Sequence, residues 1–151
     1  MGEVTPEMPQ KLLTYLEPGA PALLLTAGSD GYPSSAYTWA VAVGPKVVRF
    51  AVDEKGTAFA NIQHWGLAGL HIIGPDGLAF LIKGTSRKLK DHIAAAAPAG
   101  LMLYEMQVIG ARDQSFPGVT AKPFTYEWSA DQRAAMLKME QAVFAEMRGA
   151  S

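Results

Sequence analysis

Short runs of apolar residues, several of them alternating with polar or small residues, occupy most of the first 110 positions. In Tyr37–Val43 the odd-numbered positions point to one face and the even-numbered positions to the other, as in a β-strand. Turn-forming residues separate the runs, and Asp30-Gly31 is typical of a tight hairpin. We therefore predict six strands in meander order, over residues 22–26, 32–43, 47–52, 67–73, 78–87 and 101–111. This order favours a small antiparallel barrel.

Helical patterns occupy other segments of the chain. We predict helices over residues 9–16, 57–65 and 91–97, and a final helix that begins at Ser129. Thr57 is expected to cap its helix, and Ser129 has the capping-box spacing to Gln132. The final helix carries a methionine-rich apolar face, and residues 112–124, which contain two prolines, are expected to form a loop.

Composition indicates a globular protein without an evident macromolecular ligand. With 151 residues, 49% of them apolar, the chain suits one domain, residues 1–151, with a substantial core. A formal charge of −1 provides no basic surface for nucleic acid, and no apolar run approaches the ~20 residues that span a bilayer. The absence of cysteine excludes disulfides and thiolate metal sites, and the acidic N-terminus lacks the layout of a signal peptide. We expect a cytoplasmic protein.

The residues contain no complete catalytic or metal-binding motif. His64, His71 and His92 fall on three different predicted elements, so a metal site is not indicated. A Gly-x-Ser-x-Gly motif for serine hydrolysis is absent, and the adjacent carboxylates of Asp53 and Glu54 face apart in an extended chain. The sequence alone therefore indicates no acid, base or nucleophile for catalysis.

Three weaker signals each have a functional and a purely structural explanation. Lys55–Thr57 follows a strand and opens a helix, which favours an anion but also describes an ordinary capped helix start. Tyr37 and Trp39 share a strand face, where they can stack on a planar ligand or belong to the core. Lys83, which precedes Gly84, suits either close approach of a ligand or backbone, or protection of an edge strand.

The order of these signals along the chain resembles the FMN-binding split-barrel proteins, the relatives of pyridoxamine phosphate oxidase. Small bacterial FMN-binding proteins of that fold are the nearest in pattern. The motifs are DGYP (Asp30–Pro33), YTW (Tyr37–Trp39), AVDEKGTAFANI (Ala51–Ile62) and FLIKG (Phe80–Gly84), within residues 22–90. The resemblance implies a mainly β fold, a six-stranded antiparallel split β-barrel with flanking helices. It also implies a homodimer with two FMN sites at the subunit interface.

The resemblance also implies a set of cofactor-binding residues. Those along the isoalloxazine ring are Tyr37, Thr38 and Trp39, while Ala51, Val52 and Asp53 offer backbone groups to the ring and ribityl chain. Those at the phosphate are Lys55, Gly56 and Thr57, with Asn61 and Lys83 at the family's helix asparagine and basic strand position. No residue is assigned proton transfer, because the flavin carries the redox chemistry.

Two departures from the family pattern limit what the resemblance implies. Family members commonly place a lysine or arginine at the positions held here by Thr57 and Ala58, and the nearest cation is Lys55. Either the loop turns Lys55 toward the phosphate or phosphate affinity is lower. The C-terminal arginine and histidine pattern of true pyridoxamine phosphate oxidases is absent, so that activity is not expected.

The expected function is that of an FMN-binding oxidoreductase or electron carrier with a small-molecule redox partner. Since some relatives bind haem or a deazaflavin, these are alternative cofactors. A second hypothesis is a flavin- or haem-binding sensor without turnover. A third is a dimeric interaction module that has lost its cofactor, which only the missing cation at Thr57 and Ala58 favours.

Overall fold

A computed structural model describes residues 3–150 of the chain. The strands are β1 (Val4–Thr5), β2 (Ala20–Ala27), β3 (Pro33–Gly44), β4 (Val47–Asp53), β5 (Leu67–Ile73), β6 (Ala79–Lys90) and β7 (Leu101–Asp113). The helices are α1 (Gln10–Leu16), α2 (Thr57–Trp65) and α3 (Arg133–Gly149), and a single 3-10 turn lies at Ala94–Ala96. None of the helices between residues 3 and 150 is both long and apolar enough to cross a membrane.

Strands β2 to β7 form a closed antiparallel barrel. Their order is β7-β4-β3-β2-β5-β6, and β6 pairs with β7 to close the ring, while β1 adds to the outer edge of β7. Every pairing is antiparallel. The predicted six-stranded antiparallel barrel with flanking helices is therefore confirmed, and β1 is the strand that the sequence pattern did not indicate. The predicted meander order is wrong, because β4 pairs with β7 and β2 pairs with β5, so the connection through α2 crosses to the other side of β2.

The barrel interior is filled by one side-chain face of each strand. On β2 the even-numbered residues point inward, while Pro21, Leu23 and Leu25 are half-buried on the outer face. Phe50 and Tyr104 stack inside the barrel with ring centroids 6.0 Å apart, and Leu12 and Leu16 of α1 are fully buried against the same core. Burial of this apolar face is the main stabilising term of the fold.

Helix α3 packs on the outside of the barrel, over β3, β4 and β7. Its buried residues Val143, Phe144 and Met147 contact a second cluster that includes Val41 and Leu103. The predicted apolar face of the last helix is therefore used to cover its own barrel.

A buried arginine fixes the C-terminal end of α3. Arg49 Nε donates to Glu105 Oε2 at 3.0 Å, and Arg49 Nη1 donates to the carbonyl oxygens of Met147 and Arg148 at 2.8 and 3.1 Å. These carbonyls belong to the last turn of the helix, where acceptors have no intrahelical partner. One side chain thus joins β4, β7 and α3.

Helix α2 has the predicted bounds, but three other details predicted for the helices differ from the structure. The N-cap of α2 is Gly56 rather than Thr57, and no side chain caps the helix. Helix α3 begins at Arg133, and the predicted capping box is wrong, because Ser129 accepts the N–H of Gln132 through its backbone oxygen in a turn. The alanine-rich segment, predicted as a helix over residues 91–97, forms only a 3-10 turn, because Pro98 disfavours helical backbone at Ala97, which is extended. The carboxylate of Glu146 accepts the N–H groups of Ala94 and Ala95 at the start of this turn.

Gly84 marks a close approach between β6 and β7. A Cβ atom at this position would overlap the carbonyl oxygen of Gln107, at a shift in the register of the two strands. Because β6 pairs with β5 on one side and β7 on the other, Lys83 does not protect an edge strand. Of the explanations raised by the sequence, close approach of the backbone accounts for Gly84.

Candidate functional site

The barrel is split between β3 and β4. Strand β3 pairs with β2 over Pro33–Ala40, but it pairs with β4 only from Ala40 to Gly44. Within residues 3–150, no strand pairs with the second edge of β3 between residues 33 and 39. The backbone N–H and C=O groups along this edge are therefore free of ladder bonds, and a buried ligand can use them.

Thr38 bridges the split where the ladder stops. Its hydroxyl donates to the carbonyl oxygen of Ala51 at 2.7 Å and accepts the N–H of Ala51 at 3.2 Å. Ala51 is buried, so both of its backbone groups need partners. The hydroxyl replaces a strand pairing and sets the distance between β3 and β4.

A cavity of about 770 Å³ occupies the split. Its walls are the free edge of β3, the end of β4, the start of α2 and a C-terminal segment, residues 124–128. This volume falls within the range of small-molecule and cofactor sites, about 300–1,000 Å³.

Eight of the eleven predicted cofactor-binding residues line this cavity. They are Tyr37, Thr38, Trp39, Ala51, Val52, Asp53, Gly56 and Thr57. They come from β3, β4 and α2, and the topology brings them to one side of the barrel.

The other three predicted residues lie elsewhere. Lys55 is exposed, and its N–H donates to Asp53 Oδ1 at 2.9 Å. Asn61 is buried and donates to the hydroxyl of Thr26 at 3.0 Å, which ties α2 to β2. Lys83 borders a separate small cleft beside Arg112.

The start of α2 provides an anion-binding corner in the cavity. Gly56 and Thr57 line it, and no side chain caps the N–H groups of the first turn. Free N–H groups and the helix dipole favour negative charge at this end. Within the described chain, no lysine or arginine lines the cavity, and Asp53 and Glu127 bring carboxylates to it.

The segment Phe124–Trp128, here called the aromatic strap, forms the wall that the sequence analysis missed. Its sequence, FTYEW, places an aromatic residue at every second position. Phe124 stacks on Tyr37 with ring centroids 5.5 Å apart, and its N–H donates to Ile73 at 2.9 Å. This alternation of aromatic residues is the sequence signal that could have indicated that the segment packs against the strands.

A hydrogen-bonded chain connects the strap to β3 and α3. Trp39 Nε1 donates to the hydroxyl of Tyr126, which donates to Glu140 Oε2 at 2.8 Å. Trp128 Nε1 donates to the same carboxylate oxygen at 3.0 Å. Burial raises the pKa of Tyr126 well above its ordinary value of 10.0, and the bond to Glu140 raises it further against the opposing effect of Trp39. The phenol is therefore a neutral hydrogen-bond donor at physiological pH.

This arrangement suits a planar ligand with an anionic end. Aromatic rings and a free strand edge surround one part of the cavity, and an uncapped helix start borders another. Within residues 3–150, no group of three histidine, aspartate or glutamate side chains converges to hold a metal ion.

Comparisons with known proteins identify the fold. No family model matches the sequence, and no curated protein matches it. Among solved structures, an F420 reductase superimposes with a TM-score of 0.61 at 19% identity, over 71% of this chain and 100% of that one. A Lactobacillus delbrueckii protein named for pyridoxamine 5'-phosphate oxidase gives 0.59 at 16%, over 71% and 94%. The heme storage protein HutZ from Vibrio cholerae gives 0.50 at 11%, over 65% and 87%.

These similarities concern the fold. The structural neighbours are split-barrel proteins of the pyridoxamine 5'-phosphate oxidase type, which confirms the architecture that the sequence resemblance implied. Nearly the whole of each of these two neighbours is covered in the superposition, so the similarity extends over their entire fold.

Proposed function

We propose that this protein binds FMN in the cavity of the split and acts as a cytoplasmic flavin-dependent oxidoreductase or electron carrier. One observation carries the proposal: the cavity combines an unpaired strand edge, aromatic walls and an uncapped helix start. Structural neighbours that include an F420 reductase and a protein named for pyridoxamine 5'-phosphate oxidase support a redox cofactor at this place.

The residues present fit the ring part of FMN well. Polar groups along the edge of an isoalloxazine ring need hydrogen-bond partners, and the free backbone edge of β3 over residues 33–39 offers both donors and acceptors. Trp39 and the aromatic strap supply apolar ring surface. The edge of β3 and Trp39 are held by the sheet and therefore need little ordering when a ligand binds.

The phosphate part fits less strongly. The first-turn N–H groups of α2 and the hydroxyl of Thr57 would hold it, without a lysine or arginine among the described residues that line the cavity. Lys55 is exposed, and the carboxylate of Asp53 faces the same corner. Of the two alternatives raised by the sequence, we propose the lower phosphate affinity.

A bound flavin supplies hydride and single-electron transfer, which the side chains cannot perform. The chain's own residues bind, orient and shield the ring. Thr38 fixes the width of the split, and the aromatic strap covers one side of the cavity. The hydroxyl of Tyr126 does not ionise at neutral pH and donates a hydrogen bond to Glu140, so it serves to hold the strap.

The test begins with the visible absorption spectrum of protein purified without added cofactor, followed by titration with FMN and riboflavin. We expect flavin bands, and FMN binding tighter than riboflavin by about tenfold or less, the contribution of one helix N-terminus. The variant Lys55→Ala should change FMN affinity by less than about twofold, because its side chain is exposed. A colourless protein that takes up neither flavin would contradict the proposal.

A second candidate is a protein that binds a flavin or haem without turnover. The similarity to a protein named for heme storage supports it. Among the described residues, no histidine lines the cavity, so neither a histidine acid or base nor a histidine ligand for haem iron is present there, and within this candidate flavin is favoured over haem. Rapid reduction of the bound flavin by NADH or NADPH, with electrons passed to an acceptor, would exclude this candidate. A Soret band in the purified protein would favour haem.

We also propose that two copies of the chain form a homodimer with the cavities at their interface. The outer face of β2 and β3 supports this, because Leu23 and Leu25 are only half-buried and Tyr37, opposite Leu23, is 83% exposed. Apolar surface of this kind commonly marks an interaction site. A monomer in light scattering at micromolar concentration would contradict the interface.

A further inference from the structure

The aromatic strap is held over the cavity by side chains rather than by its backbone. Within residues 3–150, the backbone hydrogen bonds of the strap are confined to Phe124, whose N–H donates to Ile73. Residues 125–128 have no such bond, although they are flanked by segments that do. Their position therefore depends on what Tyr126 and Trp128 contact.

Glu140 is the group that both aromatic side chains contact. One oxygen of its carboxylate accepts the hydroxyl of Tyr126 at 2.8 Å and the indole N–H of Trp128 at 3.0 Å. The two rings meet edge to face with centroids 5.3 Å apart. A charged acceptor makes these hydrogen bonds stronger than neutral ones.

Glu140 itself is carried by a rigid element. It lies on α3, whose residues Val143 and Phe144, one turn further on, are buried against the barrel. Trp39 of β3 connects the same network to the barrel. It donates to Tyr126 and packs edge to face on Phe144, with ring centroids 5.9 Å apart. The carboxylate thus links a segment without backbone support to two fixed elements.

We infer that the aromatic strap is a second ring-binding wall of the cavity and that Glu140 is the positioning residue that holds it there. The inference rests on the proposed function for the chemistry of the ligand, a planar heteroaromatic ring such as that of riboflavin. Glu140 does not touch the ligand; it acts through Tyr126 and Trp128.

The experiment uses tryptophan fluorescence, since two of the three tryptophans, Trp39 and Trp128, belong to this network. The third, Trp65, is half-exposed on α2 and is replaced in the background variant Trp65→Phe. In this background, Glu140→Ala removes the acceptor and Glu140→Gln keeps an acceptor oxygen in the same place. Glu17→Gln makes the same chemical change at an exposed position just after α1, away from the residues that line the cavity, and serves as the matched control.

Riboflavin titration and acrylamide quenching are measured for each variant. We expect Glu140→Ala to weaken riboflavin binding about threefold to tenfold, the range that one aromatic contact supplies, and to make the tryptophans more accessible to acrylamide. Glu140→Gln should retain most of the affinity, and Glu17→Gln should match the background. Unchanged affinity and quenching in Glu140→Ala would overturn the inference while leaving the proposed function intact.

Failure of the proposed function gives a different result. If the background protein binds no flavin, the proposed function fails, and the ring-binding role of the strap fails with it. The positioning role of Glu140 is then decided by acrylamide quenching alone, in which equal accessibility in Glu140→Ala and the background overturns it. Equal free energies of unfolding for the variants show that any difference in quenching is local.

Discussion

The hydroxyl of Thr38 makes the split in the barrel testable with one substitution. Thr38→Val keeps the shape of the side chain and removes the oxygen that donates to Ala51 at 2.7 Å and accepts from it at 3.2 Å. Ala51 is only 5% exposed, so the substitution leaves one buried donor and one buried acceptor without their partner. The rest of β3 still pairs with β2.

The cost follows from the two orphaned groups. A buried polar group without a partner costs about 1–3 kcal/mol. Thr38 borders the cavity, so water can reach and satisfy one of the two groups. We therefore expect Thr38→Val to lower the free energy of unfolding by about 2 kcal/mol, which corresponds to a fall in Tm of about 4–8 °C for a chain of this size.

Urea unfolding and thermal melting measure this loss, and riboflavin titration measures its effect on the site. Thr38→Ser keeps the hydroxyl and should lose much less stability. Thr125→Val makes the same chemical change at an exposed position of the strap and should leave stability unchanged. If Thr38→Val is as stable as Thr125→Val, the hydroxyl does not hold β3 and β4 together and the reasoning is refuted.

Three further substitutions test other parts of the fold. Glu105→Gln leaves the buried guanidinium of Arg49 without its counter-ion, and urea unfolding should show a loss of about 3 kcal/mol. Gly84→Ala would force a Cβ atom onto the backbone oxygen of Gln107, so thermal melting should show a loss of about 3 kcal/mol. Burial raises the pKa of Glu146, but Lys90 and two N–H groups outweigh it and lower the pKa below its ordinary 4.5. This contribution to the free energy of unfolding is present above pH 4.5 and is lost as the pH falls through the lowered pKa. In urea unfolding measured from pH 6 to pH 3, the free energy of unfolding should therefore fall less with acid in Glu146→Gln than in the unsubstituted protein.

The strands could be predicted because each one satisfies a local rule. Leu67–Ile73 was predicted at its observed bounds, since turn residues flank a short apolar run. In Tyr37–Val43 the two faces of the strand alternate, and the strand predicted over residues 32–43 is observed at Pro33–Gly44, one residue later at each end. Burial of one face in a barrel requires the same two-residue period that the sequence shows, so local pattern and fold agree.

The aromatic strap could not be derived from local rules. Residues 112–124 contain two prolines and a glycine, so the pattern predicts a loop, and the aromatic alternation of residues 124–128 is too short to indicate where the segment packs. The contact that gives the segment its role joins Trp39 to Tyr126, 87 positions apart. The contact at the start of the 3-10 turn was missed for a related reason. The carboxylate that accepts its N–H groups belongs to Glu146 of α3, 51 and 52 positions away.

The two walls of the cavity differ in how firmly they are fixed, and this difference has a functional consequence. The wall of β3 and β4 is part of the barrel, since Thr38 replaces a ladder bond and the flanking residues are paired. The strap depends on a few side-chain hydrogen bonds to Glu140. Groups on strands hold a ligand with more precision than groups on loops. The strand wall is therefore suited to orient a ring, and the strap is suited to admit or exclude it. Substitutions at Thr38 should alter how the ligand is held, whereas substitutions at Glu140 should alter which ligands enter.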